Sequence, residues 1–278
     1  MALPFIPSDA TMLVLQAAVV AAPRPIERVK WLERFRGRGW ALVPIGSIVL
    51  VIFAIRYVSA TATGLTDLAL VAVPILAAVA LGWAMRGARW WAGLAAIPLF
   101  ILAWKSENTL WGEGAAALLS ALSCVTLGVL LSAVTPPRWL KAGIVLMACA
   151  DVWLVVTDLL QSPNAVLGAA APPAGLPQLQ AEVFGSVSLG YGDLFVAALL
   201  GAVLASQWRR QWQAAVLTLA IAGCFDLLFF FINELPATVP VALALLITEG
   251  WQRWQERRVS VARRRPSMRA DAIPRQAR

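Results

Sequence analysis

Long hydrophobic stretches recur along the whole chain and predict helices that cross a membrane. Nine stretches, each near the ~20 residues that span a bilayer, lie at roughly 4–22, 41–60, 65–84, 89–104, 115–134, 139–161, 187–206, 212–232 and 236–250. The first is also compatible with a signal peptide, although Asp9 stands where such a peptide carries basic residues. The pattern predicts an all-α polytopic membrane protein, with nine transmembrane helices over residues 1–250.

Composition agrees with this pattern, since 60% of the residues are hydrophobic and 14% are charged, against about 25% charged residues in a soluble domain. The basic residues then orient the helices. All 23 lysines and arginines except Arg56 and Lys105 fall at one end of the predicted helices or after the ninth. Because basic loops stay in the cytoplasm, the N-terminus is predicted outside and the C-terminus inside, in a multi-pass protein of the cell membrane.

Residues 251–278 are predicted to form a basic cytoplasmic tail. Its arginines favour anionic lipid headgroups as a partner over nucleic acid, because the other basic residues follow membrane topology. The chain has no histidine, and Cys124, Cys149 and Cys224 are single residues inside predicted helices. We therefore predict no histidine-based catalysis, no metal site, no disulfide framework and no cofactor.

Four aspartates fall well inside predicted helices, where a carboxylate is costly and usually functional. Asp151 and Asp158 belong to the sixth helix, Asp193 to the seventh and Asp226 to the eighth. At ~1.5 Å per residue, Asp151 lies about 15 Å from the outer end of its helix and Asp193 about 9–14 Å into the next, antiparallel one. These depths predict that Asp151 and Asp193 meet. Asp158, two turns nearer the outer surface, and Asp226 are predicted to modulate the pair.

Two carboxyl groups in hydrogen-bonding range cannot both ionise cheaply, so one keeps a proton while the other polarises a water, as in aspartic proteases. Gly190 and Gly192 are predicted to relax the helix before Asp193 and to let an extended peptide or a neighbouring helix approach. Taken singly, each aspartate can instead bond a hydroxyl of a neighbouring helix or pair with Arg56. The combination favours a hydrolytic site for a peptide.

The stretch Gly190-Tyr191-Gly192-Asp193, with "ACADVWLVV" carrying Asp151, resembles the GxGD intramembrane aspartyl proteases, the presenilin and signal-peptide-peptidase family. The resemblance implies a nine-helix bundle with catalytic aspartates on the sixth and seventh helices, 139–161 and 187–206. It also implies a transmembrane peptide or membrane-protein substrate. The predicted orientation is similar to that of signal peptide peptidase and opposite to that of presenilin.

The family's Pro-Ala-Leu motif in the ninth helix has two partial matches in "LPATVPVALALL". In one, Pro240 is followed by Ala242 and Leu243 with Val241 intervening. In the other, Pro236 and Ala237 stand without the leucine. Ala150, directly before Asp151, replaces the aromatic residue that is usual in the family.

Other classes of function remain open. Type IV prepilin peptidases also carry a GxGD, but their aspartates lie toward the cytoplasm and a lysine commonly follows the second, where Leu194 and Phe195 follow here. A proton- or cation-coupled transporter would use the intramembrane aspartates as a relay. A structural membrane protein would use them as contacts between helices.

Overall fold

The computed structural model describes residues 5–25, 37–43, 46, 60–106, 109–157, 175–179, 181–230 and 235–263. The α-helices of these residues are Phe5–Ala21 (α1), Ala60–Val79 (α2), Ala96–Lys105 (α3), Leu110–Val134 (α4), Pro137–Val156 (α5), Tyr191–Leu204 (α6), Trp208–Phe225 (α7) and Thr238–Arg263 (α8). A π-helical turn, Ala80–Ala84, continues α2, and 3-10 turns occupy Gly39–Leu42, Trp90–Ala95 and Asp226–Phe230. Two antiparallel strands, Ala181–Phe184 (β1) and Val187–Gly190 (β2), precede α6.

Most predicted membrane segments overlap helices of the structure, the seventh only from Tyr191 onward. The second segment and the end of the sixth lie outside the described residues, apart from a few residues of the second. Among the described residues, four helical segments are long and apolar enough to cross a membrane: Thr63–Ala84, Leu110–Val134, Pro137–Val156 and Trp208–Leu228. Phe5–Ala21, Trp90–Lys105 and Tyr191–Leu204 are apolar but shorter. The chain is therefore mostly helical and carries several helices with the length and composition of membrane spans.

Helix α4 packs against α1, α2, α3 and α6 and so occupies the centre of the bundle. Small residues permit this packing. A Cβ at Gly128 of α4 would stand 2.9 Å from the carbonyl carbon of Ala198 in α6, and a Cβ at Gly201 would overlap the carbonyl oxygen of Val20 in α1. In lipid, where helices gain little from the hydrophobic effect, close backbone approach at small residues drives association. Glycine at these positions lets α4, α6 and α1 pack with their backbones close together.

A polar cluster ties helix ends together at the end of the bundle opposite the start of α6. The Arg86 guanidinium donates to the carbonyl of Ala205 at 2.5 Å and to Oε1 of Gln211 at 2.6 Å, and it lies 4.6 Å from the centre of the Trp208 ring. Gln211 in turn donates to the carbonyl of Pro23 at 2.9 Å. Burial lowers the pKa of Arg86 from its ordinary value, and these acceptors and the indole replace the water that the cation loses.

The hairpin before α6 corrects the sequence prediction of a continuous helix over 187–206. Residues Val187–Gly190 form a strand paired with β1, and the helix starts only at Tyr191. The turn contains Gly185 with φ +63°, a conformation that favours glycine. Its N–H donates to Oε2 of Glu113 at 2.7 Å, and the N–H of Ser186 donates to Oγ of Ser8 at 3.4 Å. The hairpin is thus held against α4 and α1.

Candidate active site

Asp193 lies in the first turn of α6 and accepts a hydrogen bond from the backbone of its own motif. Its Oδ2 receives the N–H of Gly190, the N-cap residue, at 3.1 Å. An acidic side chain at this position satisfies one of the free N–H groups of a helix start and interacts favourably with the helix dipole. A Cβ at Gly190 would stand 2.9 Å from that same oxygen. The first glycine of the motif therefore provides the space that the carboxylate occupies.

Gly192, the second glycine, has a different environment. It is exposed, and a Cβ there would meet nothing within 4 Å. The sequence predicted that both glycines would loosen a helix in progress. In the structure Gly190 instead caps a helix that begins after it, and Gly192 lies in the first turn with open space beside its backbone.

Tyr191 attaches the motif to α4. Its hydroxyl lies 2.7 Å from Oγ of Ser123, and its carbonyl faces Sγ of Cys124 at 3.6 Å. One turn earlier on α4, Ser120 donates to the carbonyl of Leu179, just before the hairpin, at 3.1 Å. Sequence reasoning did not select these serines, although two serines three positions apart on one face of an apolar helix were the available signal.

Asp151 lies on α5, five residues before its end at Val156. Its Oδ2 accepts two hydrogen bonds from the first residue of α8, one from the Thr238 hydroxyl at 2.6 Å and a longer one from the Thr238 N–H at 3.4 Å. The N-terminus of a helix offers free N–H groups and a positive dipole end to an anion. Asp151, like Asp193, thus lies beside a helix N-terminus.

The structure brings Asp151 and Asp193 together. Helix α5 packs against α6, and the charge of Asp151 acts electrostatically on the Asp193 carboxyl. Both residues are partly exposed, and no hydrogen bond joins their side chains among the described residues. Measured along α5, Asp151 lies about 7–8 Å from the end of the helix at ~1.5 Å per residue, which is shallower than the sequence predicted. Asp193, the third residue of α6, lies about 3 Å from the start of its helix on the same scale.

Comparison of the chain with protein-family models, with curated proteins and with solved structures found no match. Among the described residues, no group of three or more His, Cys, Asp or Glu side chains is placed to hold a metal ion.

Other predicted site residues lie apart from the pair or outside the described residues. Asp226, which follows the end of α7, lies near Asp9 of α1, so that the two carboxyl groups interact electrostatically. The Oδ2 atom of Asp226 is buried without a hydrogen-bond partner. Asp158 lies outside the described residues. Arg56, the alternative ion-pair partner predicted for the aspartates, also lies outside them.

The two partial Pro-Ala-Leu matches occupy different places. Pro236 and Ala237 directly precede Thr238, the residue bonded to Asp151, and Nε2 of Gln16 in α1 donates to the carbonyl of Ala237 at 3.0 Å. The other match lies within the first two turns of α8, with Pro240 and Ala242 buried and Leu243 partly buried. The match without the leucine is thus the one adjacent to the aspartate, and Thr238 stands at the leucine position.

Proposed function

We propose that this protein is an intramembrane aspartic endopeptidase of the GxGD type, which hydrolyses peptide bonds within transmembrane segments with Asp151 and Asp193. One observation carries the proposal. Two carboxyl groups on adjacent helices act on each other electrostatically, each lies beside a helix N-terminus, and each belongs to a partly exposed residue. An aspartic dyad needs two neighbouring carboxyl groups that share one proton, and this proximity supports that chemistry, although no hydrogen bond joins the two side chains among the described residues.

The chemistry follows from one proton shared by two carboxyl groups. The carboxylate takes a proton from a water as the water oxygen attacks the carbonyl carbon of the peptide, and the protonated partner donates its proton to the carbonyl oxygen. When the resulting tetrahedral diol collapses, the C–N bond breaks and the nitrogen leaves with a proton from the dyad. The dyad titrates as a unit, so each protonation state belongs to the pair.

The proposed architecture is the nine-helix bundle of the presenilin and signal-peptide-peptidase family, with the N-terminus outside. Asp193 lies in the first turn of α6. Ala205, which follows the end of α6, accepts a hydrogen bond from Arg86 in the polar cluster. The dyad and this Arg86 cluster therefore lie at opposite ends of one helix. Since basic residues face the cytoplasm, the dyad faces outward, which supports an orientation similar to signal peptide peptidase and opposes the prepilin-peptidase alternative.

The proposed substrate is a transmembrane peptide or membrane protein whose helix unwinds beside the dyad. The open space beside Gly192 supports close approach of an extended backbone. Helix α8 starts beside Asp151 and runs for 26 residues, about 39 Å at ~1.5 Å per residue, which exceeds the ~30 Å hydrocarbon core. Its last, arginine-bearing turns would therefore emerge among cytoplasmic headgroups, which supports anionic lipid as a partner.

A proton-coupled transporter is the second candidate, and the Asp9–Asp226 pair favours it. This pair lies at the same end of the bundle as the dyad, and neighbouring intramembrane acids of this kind are typical of proton pathways. Proton uptake into liposomes that contain the full-length protein, lost in Asp226→Asn, would support transport. Peptide cleavage without proton uptake would support the protease.

Cleavage of a transmembrane peptide by the full-length protein in liposomes tests the proposal. We expect cleavage by the wild type, its loss in Asp151→Ala and in Asp193→Ala, and no further loss in the double variant, because the two residues act as a unit. Asp67→Ala, the same change at an exposed aspartate of α2, is the matched control and should cleave normally. Wild-type activity in either dyad variant would exclude the proposed mechanism.

A further inference from the structure

Thr238 makes the Asp151 side of the pair different from the Asp193 side. The Thr238 side chain is buried, with 5% exposure, and both its hydroxyl and its N–H approach Oδ2 of Asp151. Because an amide N–H can only donate, Oδ2 is an acceptor, and the hydroxyl at 2.6 Å is then a donor as well. The other oxygen of Asp151 accepts no hydrogen bond from the described residues.

The position of Thr238 is fixed by its neighbours. Pro236, two residues earlier, has a restricted backbone, and the carbonyl of Ala237 accepts the side chain of Gln16 at 3.0 Å. Gln16 is itself buried in α1, with 1% exposure. Because a buried amide has no water to bond instead, breaking this hydrogen bond would leave the amide unsatisfied and would be costly. The hydroxyl of Thr238 is therefore presented to Asp151 by a turn that α1 holds in place.

Asp193 receives less support. Its Oδ2 accepts the N–H of Gly190 at 3.1 Å, and within the described residues no hydroxyl bond to it is observed. Hydrogen bonds donated to a carboxylate favour its charged form, and short ones are the stronger. Among the described residues, Asp193 is the charged group that acts on this site. The Lys141–Glu249 ion pair of 2.6 Å lies ten residues before Asp151 on α5 and eleven residues after Thr238 on α8.

We infer that Thr238 is a positioning residue that keeps Asp151 as the proton acceptor of the dyad and leaves the shared proton to Asp193. Asp151 then takes the proton from the attacking water, and Asp193 donates to the substrate carbonyl oxygen. This division of roles rests on the proposed function. The asymmetry of the hydrogen bonds is a property of the chain itself and can be measured whether or not the protein cleaves peptides.

Infrared titration of the full-length protein in liposomes tests the asymmetry. The carboxyl stretch of Asp151 is identified by its loss in Asp151→Asn and followed against pH. In Thr238→Val, which keeps the shape and removes the hydroxyl, we expect the midpoint of this band to rise by about one to two pH units. Thr238→Ser should return it to the wild-type midpoint. An unchanged midpoint in Thr238→Val overturns the inference.

Thr248→Val is the matched control. Thr248 is also buried in α8, with 8% exposure, but its hydroxyl donates to the carbonyls of Ala244 and Leu245 in its own helix. This variant should leave the Asp151 midpoint unchanged. If it moves the midpoint as far as Thr238→Val does, the effect comes from loosening α8, and the inference is overturned.

Cleavage assays on the same samples separate this inference from the proposed function. We expect Thr238→Val to lower kcat about 10–100-fold with little change in KM and to move the acid side of the pH profile upward, and Thr238→Ser to retain activity within about threefold. An inactive wild type with a shifted midpoint in Thr238→Val would refute the protease and keep the positioning role. An active wild type with an unchanged midpoint in Thr238→Val would keep the protease and refute the positioning role.

Discussion

Replacing Gly190 by alanine tests whether Asp193 must hold the position seen in the structure. Gly190 has φ −74° and ψ 141°, which alanine adopts without strain, so the backbone is no obstacle. A Cβ at this position would stand 2.9 Å from Oδ2 of Asp193, whereas ordinary contacts begin at 3.4 Å. The carboxylate oxygen must therefore move by at least about 0.5 Å, away from the Gly190 N–H that it now accepts.

The expected effects on stability and on activity differ in size. Loss of one hydrogen bond costs about 1 kcal/mol, and replacing glycine by alanine returns about 0.4–1 kcal/mol by restricting the unfolded chain. The free energy of unfolding should therefore change little. Catalysis is more sensitive, because misplacing a reacting group by about 1 Å costs on the order of 100-fold. We expect Gly190→Ala to lower kcat about 30–100-fold with a nearly unchanged KM.

The assay is peptide cleavage in liposomes at equal amounts of folded protein, with the melting temperature in detergent measured on the same preparations. Gly223→Ala is the matched control, since Gly223 lies on α7 and a Cβ there would meet nothing within 4 Å. Gly223→Ala should retain the wild-type kcat and the wild-type melting temperature. If Gly190→Ala keeps kcat within threefold of the wild type, the carboxylate position next to Gly190 is not the catalytic one.

Two further predictions concern the packing of the bundle and its orientation. Gly201→Ala should lower the free energy of unfolding by about 1–3 kcal/mol. The new Cβ would overlap the carbonyl oxygen of Val20, so α6 would have to move away from α1. A melting temperature equal to that of Gly223→Ala would contradict this. Reporter fusions after Gln161 should be extracytoplasmic and fusions after Trp208 cytoplasmic, and the reverse result would revive the prepilin-peptidase alternative.

Hydropathy predicted where most helices lie, because an apolar run long enough to span a membrane rarely forms anything other than a helix. It did not predict the strand at Val187–Gly190, since a short apolar run fits a strand as well as the start of a helix. The capping role of Gly190 was missed as a consequence, because a residue can be recognised as a cap only when the start of the helix is placed correctly. Thr238 was missed because most hydroxyls in apolar helices bond their own backbone, as Thr248 does.

Each aspartate of the pair has a local structural role that needs no catalysis. Asp193 caps the start of α6, and Asp151 accepts donors from the start of α8. A negative side chain near a helix N-terminus is worth about 0.3–1 kcal/mol. The two carboxylates repel each other when both are charged, which opposes that gain. Protonation of one carboxyl group removes the repulsion, and this singly protonated pair is the state that the proposed dyad needs.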